Sequence, residues 1–588
     1  MRKIGRYSVS LIVCLCFLAG CQGETPTAPP TVTPLTATST VEPSPTTPPP
    51  TATPTPIPTA TVVPLDLVAA EARAPQVTSP VGMGGDPVSG TGDMPWWNDA
   101  VFYEIFVRSF YDSDGDGIGD INGLIEKLDY LNDGDPATTD DLGVTGIWLM
   151  PIMASPSYHG YDVTDYYTVN PEYGTNDDFE RLMAEAHQRG IAIIIDLVLN
   201  HTSAQHPWFI EAQDPNSDRH DWYLWRETSG AGWHRLGSLY YYGLFWDQMP
   251  DLNFENPEVT GEMLNITRFW LEEMGADGFR LDAIKHLIEE GEQTENTVAT
   301  LDWFKEFYAF YKGVDPNAFT VAEVWSPTHI VAQYTGGKVD VCFEFDLAEA
   351  MRASAFSGRT SGLLMAQENV IAAYPPGQYA TFLANHDQTR TRSTLMNDEQ
   401  AKVAATLQFT FPGVPFIYYG EEIGMQGAKP DENIRRPLQW TPEGGFTTGT
   451  PWRGYYEDYA TRNIAVQSTV PDSLLSHYRA LIALRNNHAA LRIGEWLPVT
   501  AEPRSVYSYV RVYGDEVVLV VVNLSGKAVA DYTLELEAGP FAADLHPAFL
   551  MGDGDLYLPP VNDDGGFDAY RPIPVLPPYT SLVIQFMP

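Results

Sequence analysis

The chain has 588 residues, 44% hydrophobic and 12% aromatic, which is too long for one ordinary core and apolar enough for a large globular domain with an accessory domain. Its 34 lysines and arginines stand against 77 aspartates and glutamates, a formal charge of -43 that repels phosphate backbones and excludes nucleic acid as a partner.

At the amino terminus, Arg2, Lys3 and Arg6 precede the apolar run 9–18, and Leu18-Ala19-Gly20-Cys21 follows. The run is short against the ~20 residues a membrane span requires. Basic residues, a short apolar run and small residues before a cysteine resemble a bacterial lipoprotein signal, residues 1–20, whose removal leaves Cys21 as a lipidated first residue. The expected location is outside the cytoplasm, anchored by lipid to the bacterial cell membrane or surface. Residues 21–94 form a tether, mostly Thr and Pro as far as about residue 64 and without the apolar residues to bury a core. Cys14 and Cys16 leave with the signal and Cys21 carries lipid, so Cys342 alone remains and no intrachain disulfide is expected. In Val341-Cys342-Phe343 it reads as a buried, inert thiol.

Aromatic density rises at Pro95-Trp96-Trp97, and eight apolar runs follow: 101–107, 146–151, 192–198, 278–281, 319–324, 341–345, 380–383 and 414–419. Continuous hydrophobicity marks strands buried on both faces, and 177–189 and 260–274 have helical spacing between them. Eight such runs predict an α/β fold, a (β/α)8 TIM barrel over 95–490. A doubly wound open sheet would bring a glycine-rich phosphate loop after its first strand, and this sequence has none. Residues 201–258 are too many for a plain connection and rich in Trp, Tyr, Asp and Gly, so an inserted domain is expected there. From 491 to 588 short alternating stretches at 505–511, 516–522 and 532–536 predict an antiparallel β-sandwich.

Four segments end apolar runs in acids, histidines or an arginine: DLVLNHTS (196–203), GADGFRLDAIKHL (275–287), VAEVW (321–325) and FLANHDQ (382–388). A barrel enzyme presents its chemistry in this way, at the carboxyl ends of its strands. Parallel strands would bring Asp282, Glu323 and Asp387 together, and carboxylates in differing environments are what glycoside hydrolysis needs. Strand alternation places Arg280 on the same face as Asp282, where its guanidinium can pair with that carboxylate.

In this order the four segments resemble the four principal conserved regions of the α-amylase family of retaining α-glucoside hydrolases and transferases. The resemblance implies that Asp282 attacks the anomeric carbon, Glu323 is general acid then base, and Asp387 stabilises the oxocarbenium-like transition state. It further implies that His201 and His386 hydrogen-bond sugar hydroxyls, that Tyr161 stacks on the sugar and that Arg280 completes the substrate-binding set, whereas Asp162 and Asp196 read as mainly structural or as supports behind the residues that touch the sugar. The insert then corresponds to the family's domain B and the carboxyl-terminal sandwich to its domain C.

The loop from Asp112 to Asp120 places acidic oxygens at alternate positions among glycines, a hard-cation arrangement that favours Ca²⁺. It begins like an EF-hand, but Gly123 stands where the bidentate glutamate is expected. It resembles the family's calcium loop after the first strand, which implies Asp112, Asp114, Asp116, Ile118 and Asp120 as ligands. A second family calcium site would use Asn200 and the carbonyl of His286.

Met249-Pro250-Asp251-Leu252-Asn253 is similar to the family's fifth region in neopullulanase-like and intermediate subgroups, where oligo-1,6-glucosidases more often carry Gln for this Met. Ala283 stands where α-1,6-specific relatives tend to have Val. Tyr158 stands where exo-acting relatives place an Asp that pairs with an Arg, so that Arg435 is expected without its acid. These features imply endo-acting hydrolysis of α-1,4 bonds in starch and maltooligosaccharides, with transglycosylation open because water and sugars compete for one covalent intermediate. An α-glucosidase or a cyclomaltodextrinase or neopullulanase-like enzyme is the alternative. A non-catalytic glucan-binding surface protein is disfavoured by the complete carboxylate trio. Trp222, Trp225 and the tyrosines at 240–242 read equally as sugar platforms or as core of the insert.

Overall fold

The computed structural model describes residues 90–588 except Ser361; the signal, Cys21 and nearly all of the tether lie outside the described residues. Eight parallel strands close into a barrel: β1 (Phe102–Ile105), β2 (Gly146–Leu149), β3 (Ala192–Leu197), β4 (Gly278–Leu281), β5 (Phe319–Ala322), β6 (Val341–Phe343), β7 (Tyr379–Thr381) and β8 (Val414–Tyr418). Each lies on an expected apolar run, and the order around the barrel is β1-β8-β7-β6-β5-β4-β3-β2. All eight are buried throughout, which explains why their sequences are continuously apolar rather than alternating.

Side chains fill the barrel interior. Phe102 stacks on Phe416 at 4.7 Å and 7°, and Phe319, Trp148 and Phe343 complete the layer. Trp96 and Trp97 pack against the amino ends of β1 and β5, with the Trp96 indole donating to the Asn317 carbonyl at 2.9 Å and Trp97 stacked on Phe319 at 5.1 Å. Truncating a buried ring of this kind to alanine costs about 3–5 kcal/mol. Cys342 is buried on β6, and burial pushes its thiol well up.

The helix Asn176–Gln188 starts at a capping box of Thr175 and Asp178. The helix expected from 260 begins earlier, at Pro257–Arg268, because Asn256 caps the Glu258 N–H at 2.9 Å and proline suits the first helical position. It runs on into a wide turn, Phe269–Glu273.

Between β3 and the Pro257–Arg268 helix the insert forms a three-stranded antiparallel sheet, with Leu239–Tyr242 between Trp225–Arg226 and Trp233–Leu236. Its rings pack on one another: Phe209 stacks on Trp225 at 5.8 Å, Trp208 meets Trp222 at 4.9 Å, and Trp222, Tyr241 and Tyr242 are buried. Of the two readings these aromatics allowed, core is the one realised for those three.

Seven carboxyl-terminal strands follow: β9 (Glu495–Glu502), β10 (Val506–Tyr513), β11 (Glu516–Asn523), β12 (Thr533–Ala538), β13 (His546–Met551), β14 (Gly565–Tyr570) and β15 (Ser581–Met587). They are antiparallel, in the order β13-β15-β11-β10-β9-β12-β14. The first part of β9 pairs with β10 and its last part with β12, so one strand links two halves whose side chains, among them Leu519, Ile584, Leu534 and Phe567, share a single buried cluster. Among the described residues no helix is long and apolar enough to cross a membrane.

Candidate active site

Leu281, the last residue of β4, pairs in register with Leu197 of β3 and Ala322 of β5. Asp282 and Glu323 therefore emerge side by side at the carboxyl ends of adjacent strands, whose backbones lie ~4.8 Å apart. The chain turns sharply after Asp282: Ala283 adopts φ 45°, in the left-handed region, and its N–H faces Glu323 at 3.4 Å. A non-glycine residue held there costs about 1–3 kcal/mol, and such strain clusters at functional sites.

Arg280 is fully buried and organises the centre. Its Nη1 donates to Asp196 at 2.8 and 2.9 Å and to Asp282 at 2.7 Å, while Nη2 donates to Glu323. One guanidinium thus faces three carboxylates. Burial pushes the Asp196 carboxyl up to about 7, against the opposing pull of Arg280. Burial likewise raises Glu323; Arg280 opposes the rise, and the Asp282 and Asp387 charges add to it.

Behind this centre, the Tyr161 hydroxyl lies 3.0 Å from Asp196 and 2.6 Å from the His386 ring, on which the Tyr161 ring stacks at 5.6 Å and 15°. His386 is held on its other nitrogen by Glu104 at 2.5 Å and lies 3.1 Å from Asp387. Burial alone would depress this imidazole, but Asp387 and Glu104 outweigh it and raise it to about 9. Burial would in turn raise Asp387, yet His386, then Arg435 and Arg280, hold it well below the usual carboxylate range. His201 is buried and its titration is depressed by burial, with the Asp282 charge and the Tyr161 backbone opposing the depression.

The structure gathers all seven catalytic and substrate-binding candidates. Asp196 belongs with them as an Arg280 partner, whereas Asp162 accepts from Ser155 and Ser157 in the turn before Tyr161. With Tyr158 in place of an acid, Arg435 turns to other carboxylates: its Nη2 donates to Asp387 at 2.7 Å and lies 3.6 Å from Asp431. Sequence reasoning missed Glu104, whose signal was an acid inside an apolar strand. It also missed the exposed rings Phe245, Trp246 and Trp325, the last only two residues beyond Glu323.

In the Asp-Gly loop, the carboxylates of Asp112, Asp114 and Asp116 come within 4.8 Å of one another. Asp112 accepts from Gly115 N at 2.7 Å, Gly117 N at 2.8 Å and Thr447 Oγ1 at 2.5 Å, whereas Asp114 and Asp116 are more open and accept from Asp116 N and Ile118 N. Asp120 stands apart as the cap of the helix Ile121–Glu126, accepting from Gly123 N at 2.7 Å and from Ser113. Among the described residues no lysine or arginine forms an ion pair with the three clustered aspartates, so their donor set fits a hard cation such as Ca²⁺. Near Asn200 the structure places two acids: buried Asp251 of the insert, raised to about 8 by burial, and Glu289 from the segment after β4, raised to about 7 by burial and with one oxygen unpartnered.

Comparison with known proteins agrees with this geometry. The family described as "Alpha amylase, catalytic domain" matches residues 104–494. The chain is 41% identical over 443 residues to the Dictyoglomus thermophilum protein named Alpha-amylase 3, covering 73% of this chain and 86% of that one. It is 35% identical over 518 residues to the Mycobacterium tuberculosis protein named Trehalose synthase/amylase TreS, covering 75% and 84%. A solved α-amylase from H. orenii superposes with a TM-score of 0.73 at 41% identity, over 83% of this chain and 99% of that one.

Proposed function

The chain belongs to the α-amylase family of glycoside hydrolases, enzymes of α-glucans, and on that premise we propose that it cleaves internal α-1,4 bonds of starch and maltooligosaccharides with retention of anomeric configuration. The observation that carries this reading is the single buried guanidinium of Arg280 holding Asp282 and Glu323 side by side. Retaining enzymes need their two carboxyl groups ~5–5.5 Å apart, so that no water fits between nucleophile and sugar.

In this reading the Asp282 carboxylate attacks the anomeric carbon while Glu323, whose hold on a proton is strengthened by burial, gives its proton to the departing glycosidic oxygen. The bond to the leaving sugar breaks as the glucosyl ester forms. Glu323, now a carboxylate, takes a proton from water, whose oxygen attacks the anomeric carbon and releases Asp282. Asp387 and His386 accept from and donate to hydroxyls of the sugar being cleaved, His201 joins them, and Tyr161 offers its ring to the same sugar.

An open cleft is supported by Tyr158, which stacks on Trp452 at 5.5 Å instead of presenting an acid, and by Arg435, which is engaged with Asp387. Two rings suit neighbouring glucose units: Trp325, 52% exposed and laid flat on Phe345 at 4.9 Å, and Phe245, 47% exposed beside His201 and His286. The resemblance to a protein named as both synthase and amylase keeps transfer to a sugar acceptor as the second reading.

Asp112, Asp114 and Asp116 would hold Ca²⁺, which when bound supplies positive charge that rigidifies the loop after β1. The amino-terminal sequence supports export and anchoring through Cys21. A time course on soluble amylose, with chain length and reducing ends followed together, tests the reading. Rapid shortening into mixed maltooligosaccharides is expected; glucose or maltose alone from slowly shortening chains would make the enzyme exo-acting.

A further inference from the structure

A path of contacts enters the site from the loop after the helix Asp431–Ile434, and no role in catalysis has been given above to Trp452 or Ser109, which build it. The Trp452 backbone N–H donates to the Gly117 carbonyl at 2.9 Å, and its indole N–H donates to Ser109 Oγ at 3.0 Å. Ser109 is fully buried and its hydroxyl donates to the Arg435 carbonyl at 2.6 Å. Arg435 in turn donates from Nε to the His386 carbonyl at 3.0 Å and from Nη2 to Asp387 at 2.7 Å. The Trp452 ring meanwhile stacks on Tyr158 at 29° and meets Phe106 edge-on at 6.1 Å, and the Arg435 guanidinium lies 5.9 Å from the Tyr158 ring.

We propose that Trp452 is a positioning residue of this enzyme: through Ser109 on one side and Tyr158 on the other it fixes Arg435, and Arg435 fixes Asp387. The inference rests on the role given to Asp387 above. The physical argument is that Arg435 touches Asp387 through a long side chain with several rotamers, so its aim depends on where its own backbone is held. Ser109 holds that backbone, and a buried hydroxyl that loses its donor from Trp452 is left to rotate among other partners. A small displacement of a group that acts on the transition state lowers turnover more than binding. A residue that merely packs the loop would act on stability instead.

Trp452→Phe keeps a ring against Tyr158 and removes the indole N–H; Ser109→Ala removes the next link. Each is expected to lower kcat about five- to tenfold on a maltooligosaccharide of fixed length, the loss expected of one hydrogen bond, with KM within twofold. The double variant should be no slower than the slower single, because both changes cut the same path. Trp452→His, which keeps a ring N–H, should recover part of the loss, and melting temperatures measured alongside exclude unfolding as the cause. Unchanged kcat in both singles, losses that multiply in the double variant, or a rise in KM alone would overturn the proposal. Asp387→Asn, assayed in parallel, separates the two levels: if it stays active, the assignment of Asp387 has failed; if it is inactive while Trp452→Phe and Ser109→Ala are normal, only the relay has failed.

Discussion

Two groups of carboxylates lie at or beyond the carboxyl ends of the barrel strands, and they are compensated in opposite ways. Asp196, Asp282 and Glu323 surround Arg280, a cation that the chain itself buries. Asp112, Asp114 and Asp116 crowd together on the loop after β1 with backbone N–H groups and one hydroxyl as their partners, two of the three being exposed. Burial drives Asp196 toward its neutral form and the fixed guanidinium opposes that drive, whereas burial of Asp112 is outweighed by hydrogen bonds from Thr447, Gly115 and Gly117, which hold its carboxyl below the usual value. A surface cluster can rely on water and an exchangeable ion. On the proposed reading the same residue type does chemistry beside a fixed cation, and would hold the loop through an exchangeable one.

The largest expected effect falls on the Arg280 centre. Asp282→Asn and Glu323→Gln should each lower kcat by about 10⁴-fold or more while leaving the melting temperature within a few degrees, because shape is kept and a reacting group is lost. Substantial activity in either variant, with contamination excluded, sinks the assignment. Next in size is Arg280→Met, which strands three carboxylates and should cost about 3–5 kcal/mol of stability in denaturant unfolding. A loss under about 1 kcal/mol would mean that the centre does not depend on its cation.

A smaller effect is expected at the loop. Chelation should lower the melting temperature by an amount that depends on free ion, about 2.7 kcal/mol being lost when the ion had stood at a hundred times its dissociation constant. Readdition of Ca²⁺ should restore it, and no shift after verified metal removal would remove the ion from the account. Smallest is a pH effect behind the centre. The folded-state pKa of His386, about 9, lies above the ~6.5 of free imidazole. Its contribution to stability is therefore complete below about pH 6.5 and lost as pH rises toward 9. Melting temperature should fall over that interval, and His386→Gln should flatten the fall; parallel curves for the two proteins would refute the charged pairing with Asp387 and Glu104.

The barrel was legible because each strand is buried on both faces and so writes itself as an unbroken apolar run, and Asp282 with Arg280 because their spacing of two puts both on one face. What escaped the sequence depends on contacts between distant positions. Glu104 reaches His386 across 282 residues, and Ser109 reaches Trp452 across 343. No local pattern says which distant residue Glu104 or Ser109 will meet. Asp120 was expected in the cation loop, but an aspartate three residues before a free helix N–H serves as a cap, and only the turn geometry decides between the two. Trp222 and Trp325 look alike in sequence, yet one is packed beneath Arg219 and the other lies open on Phe345.

The central claim is that Asp282 and Glu323 carry out a double displacement on an α-glucosidic bond. The most direct measurement is proton NMR of the anomeric signals in the first minutes of maltopentaose hydrolysis, before mutarotation mixes them. The account predicts that the α-anomer of the new reducing end appears first and the β-anomer only later. If the β-anomer is the first product, water has attacked directly and Asp282 is not the nucleophile.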